Sequence, residues 1–102
     1  MMYQVSVKFS KKGRSRFLSH LDLLRLFQRC ARRAEMPVAL TQGFVPRMKM
    51  SIIPAIKLGM ESDELEAKFT LTQRIDNDRL RQKLQDQLPL DLEIKEVKEK
   101  NV

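Results

Sequence analysis

Residues 64–72 read ELEAKFTLT, and the architecture follows from this stretch and what lies on either side of it. Leu65, Ala67, Phe69 and Leu71 alternate with Glu64, Glu66, Lys68, Thr70 and Thr72, the period of a strand with one buried face. Before it, AIKLGMESD at 55–63 makes a turn region around Gly59, and MKMSII at 48–53 reads as another strand. Met48, Met50 and Ile52 point inward there, and Pro54 ends it or marks an edge. After it, Asp76 caps a helix whose Leu80, Leu84 and Leu88 recur every four residues. Ile75 and Leu80 can staple its start, and Pro89 ends it. Residues 90–97 then give a strand with Leu90, Leu92 and Ile94 inward.

The front of the chain supplies the first half of the pattern. Tyr3, Val5, Val7 and Phe9 alternate with Gln4, Ser6 and Lys8, so residues 2–9 form a strand. SKKGRSR at 10–16 is a basic loop turning at Gly13. Ser19 caps a helix, and Asp22 three residues on can close a capping box. Leu23, Leu24, Phe27, Cys30, Ala31 and Ala34 fall on its core side. Pro37 predicts that the helix stops near Glu35–Met36. The order is β-α-β-β-α-β. Two right-handed βαβ units sharing an antiparallel sheet give an α+β, ferredoxin-like sandwich with both helices on one face. One domain is expected over 1–98, with a frayed charged tail at 99–102. The other sheet face is polar, carrying Gln4, Ser6, Lys8, Lys49, Ser51, Glu66, Lys68, Thr70, Asp91, Glu93 and Lys95. It lacks the stacking aromatics of an RNA-recognition sheet.

Composition narrows the function classes. Twenty Lys and Arg against thirteen Asp and Glu give +7 over 102 residues, with a pI near 9.9. The excess sits at the front: residues 1–50 carry +9 and residues 51–102 carry −2. A block of one sign points to an anionic partner such as RNA or a phosphorylated ligand, against the plainer reading of a solvated basic face. No apolar run reaches the roughly 20 residues of a membrane span, and the start shows no secretory signal. The cytosol is the expected compartment, and no membrane partner is expected. Cys30 is the single cysteine and His20 the single histidine, which leaves no zinc cluster and predicts no metal.

Two features carry the candidate chemistry. Arg25, Arg29, Arg32 and Arg33 fall within one arc of the first helix, opposite its core face. With Lys11, Lys12, Arg14 and Arg16 before them and Arg47 and Lys49 after, they form the candidate phosphate-binding set. His20 sits at the first helical position, where the helix dipole and the nearby cations favour the neutral imidazole. It is the one candidate general base, with Arg16 beside it, against the plainer reading of a structural histidine. The loop TQGFVPR at 41–47 fits no Walker or dinucleotide pattern. Gly43 is a candidate positive-φ residue, and Phe44 reads as a buried plug sooner than an exposed stacking ring.

From Arg16 to Glu64 the chain carries R-F-L-S-H-L-D-L-L-R-x-F-x-R, R-R-A, P-V-A, T-Q-G-F-x-P-R-M-K-M and L-G-x-E-S. This combination resembles the bacterial radical-SAM-linked domain of unknown function. The resemblance covers 49 of 102 residues, with Thr41 where Ser is common and Val45 where Asn is common. It implies a setting beside radical SAM proteins, often near ribonuclease E/G-type genes, and no established activity or cofactor. This sequence has no C-x-x-x-C-x-x-C motif, so it is not itself a radical SAM enzyme. The resemblance implies a surface of Arg16, Ser19, His20, Asp22, Arg25, Gln42, Gly43, Phe44, Pro46, Arg47 and Lys49. Helix start and loop lie at opposite ends of the helix unless the loop folds back, and residues 42–49 extended span roughly 25 Å, enough to reach.

Three functions compete on these residues. The first is a non-enzymatic accessory domain binding RNA or a phosphorylated ligand through the basic helix and adjoining loops. The second is a module docking a radical SAM protein. The third is an RNA-processing or RNA-modifying enzyme using His20, for which ferredoxin-like endonucleases of CRISPR repeats offer a fold-level analogy. A continuous positive groove favours the first and third, an exposed apolar patch the second.

Overall fold

The structure, a computed structural model, describes residues 2–55 and 59–100. Its elements are β1 (Tyr3–Lys11), a short 3-10 helix (Gly13–Phe17), α1 (His20–Arg33), β2 (Met50–Ile53), β3 (Ser62–Leu71), α2 (Asn77–Gln87) and β4 (Leu92–Lys100). The four strands form one antiparallel sheet in the order β2-β3-β1-β4. This is an α+β fold, and the strand order fits a ferredoxin-like sandwich.

The central strands β1 and β3 carry the alternation read from the sequence. Val5, Val7 and Phe9 on β1 and Leu65, Ala67, Phe69 and Leu71 on β3 are buried. They meet Leu23, Phe27, Cys30 and Ala31 of α1 and Leu80 and Leu84 of α2 in one core. Phe9 and Phe27 lie with ring centroids 4.6 Å apart and tilted by 45°, which locks α1 onto the sheet. The outer edge of β4 is covered by α2. Arg81 Nη2 donates to Ile94 O (3.1 Å) and Gln85 Nε2 to Leu92 O (2.9 Å), while Ile94 N donates to Gln85 Oε1 (2.7 Å). Side chains thus satisfy backbone groups that an open edge would offer to another strand.

The ends of α1 are set by local chemistry. Ser19 Oγ accepts from the Asp22 N–H at 3.1 Å. Only this forward bond of the capping box forms among the described residues, because Asp is one methylene shorter than the usual Glu. At the other end Glu35 adopts φ 56°, Met36 N donates to Ala31 O and Glu35 N to Arg32 O, both at 3.0 Å. That is the Schellman closure, with a glutamate in the left-handed position usually given to glycine.

Several sequence expectations are corrected. β1 runs to Lys11, so the alternation continues two residues further and places Lys11 on the core side, where it is fully buried. Its Nζ donates to Leu18 O at 2.6 Å, and burial pushes its pKa below the usual lysine value. β2 begins at Met50; Met48 lies before it, in an isolated bridge with Leu40. Ser6, expected on the open face, is buried and donates through Oγ to Glu66. Leu90 is 97% exposed and Asp91 lies in the turn before β4, so the fourth strand starts two residues later than expected. A register shift between Lys8 and Phe9 then turns Val97, not Glu96, toward the core. β4 continues to Lys100 against β1, so Glu99 and Lys100 are paired strand residues and not a frayed tail. Residues 101–102 of that expected tail, and residues 56–58 of the expected turn region, lie outside the described residues.

Candidate anion-binding groove

The connection after α1 builds its own hairpin. Ala39 N donates to Thr70 O (2.8 Å), Thr70 N to Lys49 O (3.0 Å) and Lys49 N to Ala39 O (2.8 Å), which fastens both arms to the end of β3. Thr41 N donates to Arg47 O at 2.7 Å, and Arg47 N donates to Thr41 Oγ1 at 3.0 Å. These bonds close the loop and leave Gln42, Gly43, Phe44, Val45 and Pro46 exposed at its tip. Gly43 has φ 147°, a conformation that side-chain-bearing residues rarely adopt, in keeping with its expected role. Phe44, expected as a buried plug, is instead 108% exposed. The Thr41–Arg47 bonds close the loop with that ring at its exposed tip.

The hairpin folds back along α1. Leu21, Leu24, Arg25, Gln28 and Arg32 form one wall of a groove of about 610 Å³, and Leu40, Pro46, Arg47 and Met48 form the other. The helix wall follows from spacing: at about 100° per residue, positions 21, 25, 28 and 32 share one arc. Arg29 and Arg33 lie on the far flank of the stripe and do not line the groove. The arginine stripe therefore divides. Arg25 and Arg32 join Arg47, while Arg29 and Arg33 lie outside the groove. Gln28 belongs to the groove by its i, i+3 relation to Arg25, a spacing legible in the sequence.

The remaining candidates lie elsewhere. Lys12 pairs with Asp63 at 2.9 Å, which raises the lysine pKa and lowers that of the aspartate, their mutual hydrogen bond being the leading cause. Arg14 is exposed, with its backbone N–H donating to Asp91 Oδ2 at 3.1 Å. The carboxylate of Asp91 sits where a Cβ on Gly13 would collide, 2.8 Å away, and Gly13 has φ 57°. This turn accordingly requires glycine. Arg16 Nη1 donates to Gly13 O at 3.2 Å, and its guanidinium lies 4.5 Å from the centroid of the Phe17 ring. Lys49 is on the open sheet face, lining a shallow depression with Gln4, Ser51, Lys68 and Thr70. Lys11 is buried, so it presents no charge to the groove.

His20 opens α1, half-buried, and does not line the groove. Ser19 Oγ is occupied by the cap, to which Asp22 contributes its backbone N–H, and Asp22 is exposed. Cys30 is buried, its Sγ donating to Gln87 O at 3.3 Å. Burial raises its pKa against the opposing pull of Arg33 and Arg29, which keeps the thiol protonated and inert. Among the described residues no group of three or more His, Cys, Asp or Glu could hold a metal ion. No helix among them is long and apolar enough to cross a membrane.

A family model described as "Uncharacterized protein conserved in bacteria (DUF2344)" matches residues 4–102. No curated protein and no solved structure matches the chain.

Proposed function

The chain belongs to the conserved bacterial family DUF2344, and on that premise we propose that it is a non-enzymatic module holding RNA or a phosphorylated ligand between α1 and the hairpin. One observation carries the reading. Arg25, Arg32 and Arg47 come from two elements to line one groove, its lining holds no carboxylate, and none of the three forms an ion pair with a described residue. Guanidinium groups present a planar fork of donors that matches phosphate oxygens. A surface kept free of carboxylates leaves that capacity for a ligand.

The test is binding of mixed short RNAs by fluorescence anisotropy, with single alanine variants around the helix. Arg25→Ala, Arg32→Ala and Arg47→Ala are expected to weaken binding by roughly 5- to 10-fold each, as for a lost charge-assisted contact. Arg29→Ala and Arg33→Ala should lose less. Equal losses at all five positions, or none, would remove the groove from the account.

A second reading, docking of a radical SAM protein, draws on the exposed apolar residues Leu21, Leu40 and Val45 on and beside the same groove. Co-purification with such a protein, lost in Leu40→Ser, would support it. Co-purification that survives Leu40→Ser, or its absence at micromolar concentration, would count against it.

A further inference from the structure

We infer that the groove takes a single strand of RNA, with one base stacked on Phe44 at the hairpin tip. The inference rests on the phosphate-binding reading above and narrows it to a substrate class.

The first observation is the shape of the charge. Arg25 and Arg32 are seven residues apart on one helix face, about 10.5 Å along the axis. Arg47 faces them from the hairpin wall. Cations on both sides of a concave trough surround one backbone threaded between them. A duplex is a convex rod, which a basic helix or ridge would meet from one side.

The second observation is Phe44. Its ring is fully exposed, on a loop closed by two hydrogen bonds between Thr41 and Arg47. One residue, Val45, separates it from Pro46 and two from Arg47, both on the groove wall. Consecutive Cα atoms are about 3.8 Å apart, so the backbone that carries the ring lies within roughly 7 Å of the groove's rim at Pro46. Nothing in the core uses this ring. An exposed aromatic costs apolar contact with water, and a base face is the partner that covers it without sequence preference. Bases in a duplex are already stacked and paired, so they offer no free face; those of a single strand do. Among the described residues the sheet, where RNA-recognition domains place such rings, exposes none on its open face: Phe9 and Phe69 are buried, and Tyr3 is half-buried against the core.

The experiment compares a labelled ten-nucleotide single strand with the same sequence as a duplex, using the full chain. Wild type should prefer the single strand by tenfold or more. Phe44→Ala should weaken the single strand by roughly tenfold, the worth of one base–aromatic stack, and leave the duplex unchanged. Phe44→Tyr should restore the binding. Phe44 and the groove arginines are solvent-facing, so circular dichroism should show an unchanged fold in each variant. Equal affinity for strand and duplex, or no effect of Phe44→Ala while Arg47→Ala still weakens binding, would overturn the single-strand inference alone. Indifference to every arginine variant would overturn the phosphate reading beneath it.

Discussion

On the β1–β4 side of the open sheet face and at its rim, four lysines meet carboxylates. Lys12 and Lys95 both reach Asp63, at 2.9 and 3.7 Å, and Lys8 and Lys98 both reach Glu96, at 3.9 and 3.5 Å. On α1 and the hairpin, Arg25, Arg29, Arg32, Arg33 and Arg47 form no ion pair with any described carboxylate. The two regions hold comparable numbers of cations and differ in what surrounds them. The acids that neutralise Lys8 and Lys12 come from the second half of the chain, through β3 and β4. The topology delivers those acids to the sheet and delivers none to the groove. Net charge by sequence position places the excess on residues 1–50; pairing in space takes Lys8 and Lys12 out of it, and leaves the arginines of α1 and the hairpin, with Arg14, Arg16 and Lys49, without an ion pair among the described residues.

The same contrast divides α1 itself, and stability measurements probe it. Phe27→Ala removes the ring that stacks on Phe9 and should cost about 3–5 kcal/mol in urea denaturation. Arg25→Ala and Arg32→Ala, on the groove face, should stay within about 0.5 kcal/mol of wild type. Large losses at the arginines would mean that they hold the fold, and the two faces would no longer be distinct.

Next in size is the cap. Ser19→Ala leaves the Asp22 N–H without its partner and should cost about 1 kcal/mol. At the opposite end, Glu35→Gly relieves a left-handed glutamate and should gain roughly 0.5–1 kcal/mol by thermal melting.

The smallest effect concerns Lys11, the one cation of the basic front half that is buried. Burial lowers its folded pKa below the unfolded value of 10.5. Between those two values the unfolded chain binds more protons, so rising pH stabilises the folded state through this group. Lys11→Met lacks that contribution. The stability difference between wild type and Lys11→Met should therefore shift in favour of wild type as pH climbs toward 10.5. Parallel curves would show that the ammonium is solvated.

Much of the fold is legible because β3 buries a strict alternation, β1 buries Val5, Val7 and Phe9 in alternation, and α1 buries a clean helical stripe. The strand order follows from the βαββαβ sequence of elements and handedness. What sequence could not carry was register and return. The shift opposite Phe9 is visible only as the three-residue spacing of Ile94 and Val97. Lys11 lies on the inward parity of β1, but its charge and its neighbours Lys12 and Gly13 read as a basic loop. For the site, Arg25, Arg32 and Arg47 were named from sequence, yet nothing local distinguishes them from Arg29, Arg33 or Lys49. Only the hairpin's attachment to Thr70 of β3 places Arg47 opposite the helix, and that is a tertiary contact. Phe44 differs from its expected place for a similar reason: an aromatic next to glycine reads as a plug, and only the Thr41–Arg47 closure, a contact across the loop, puts it at an exposed tip.

The most direct test is the salt dependence of single-stranded RNA affinity for wild type and two triple variants. Arg25→Ala, Arg32→Ala and Arg47→Ala together should reduce the slope of log affinity against log salt by about 2, as three phosphate contacts on a single strand would. Lys8→Ala, Lys12→Ala and Lys95→Ala together remove the same formal charge and should leave the slope nearly unchanged. Equal reductions in both variants would mean that binding follows net charge alone, and the groove would not be the site.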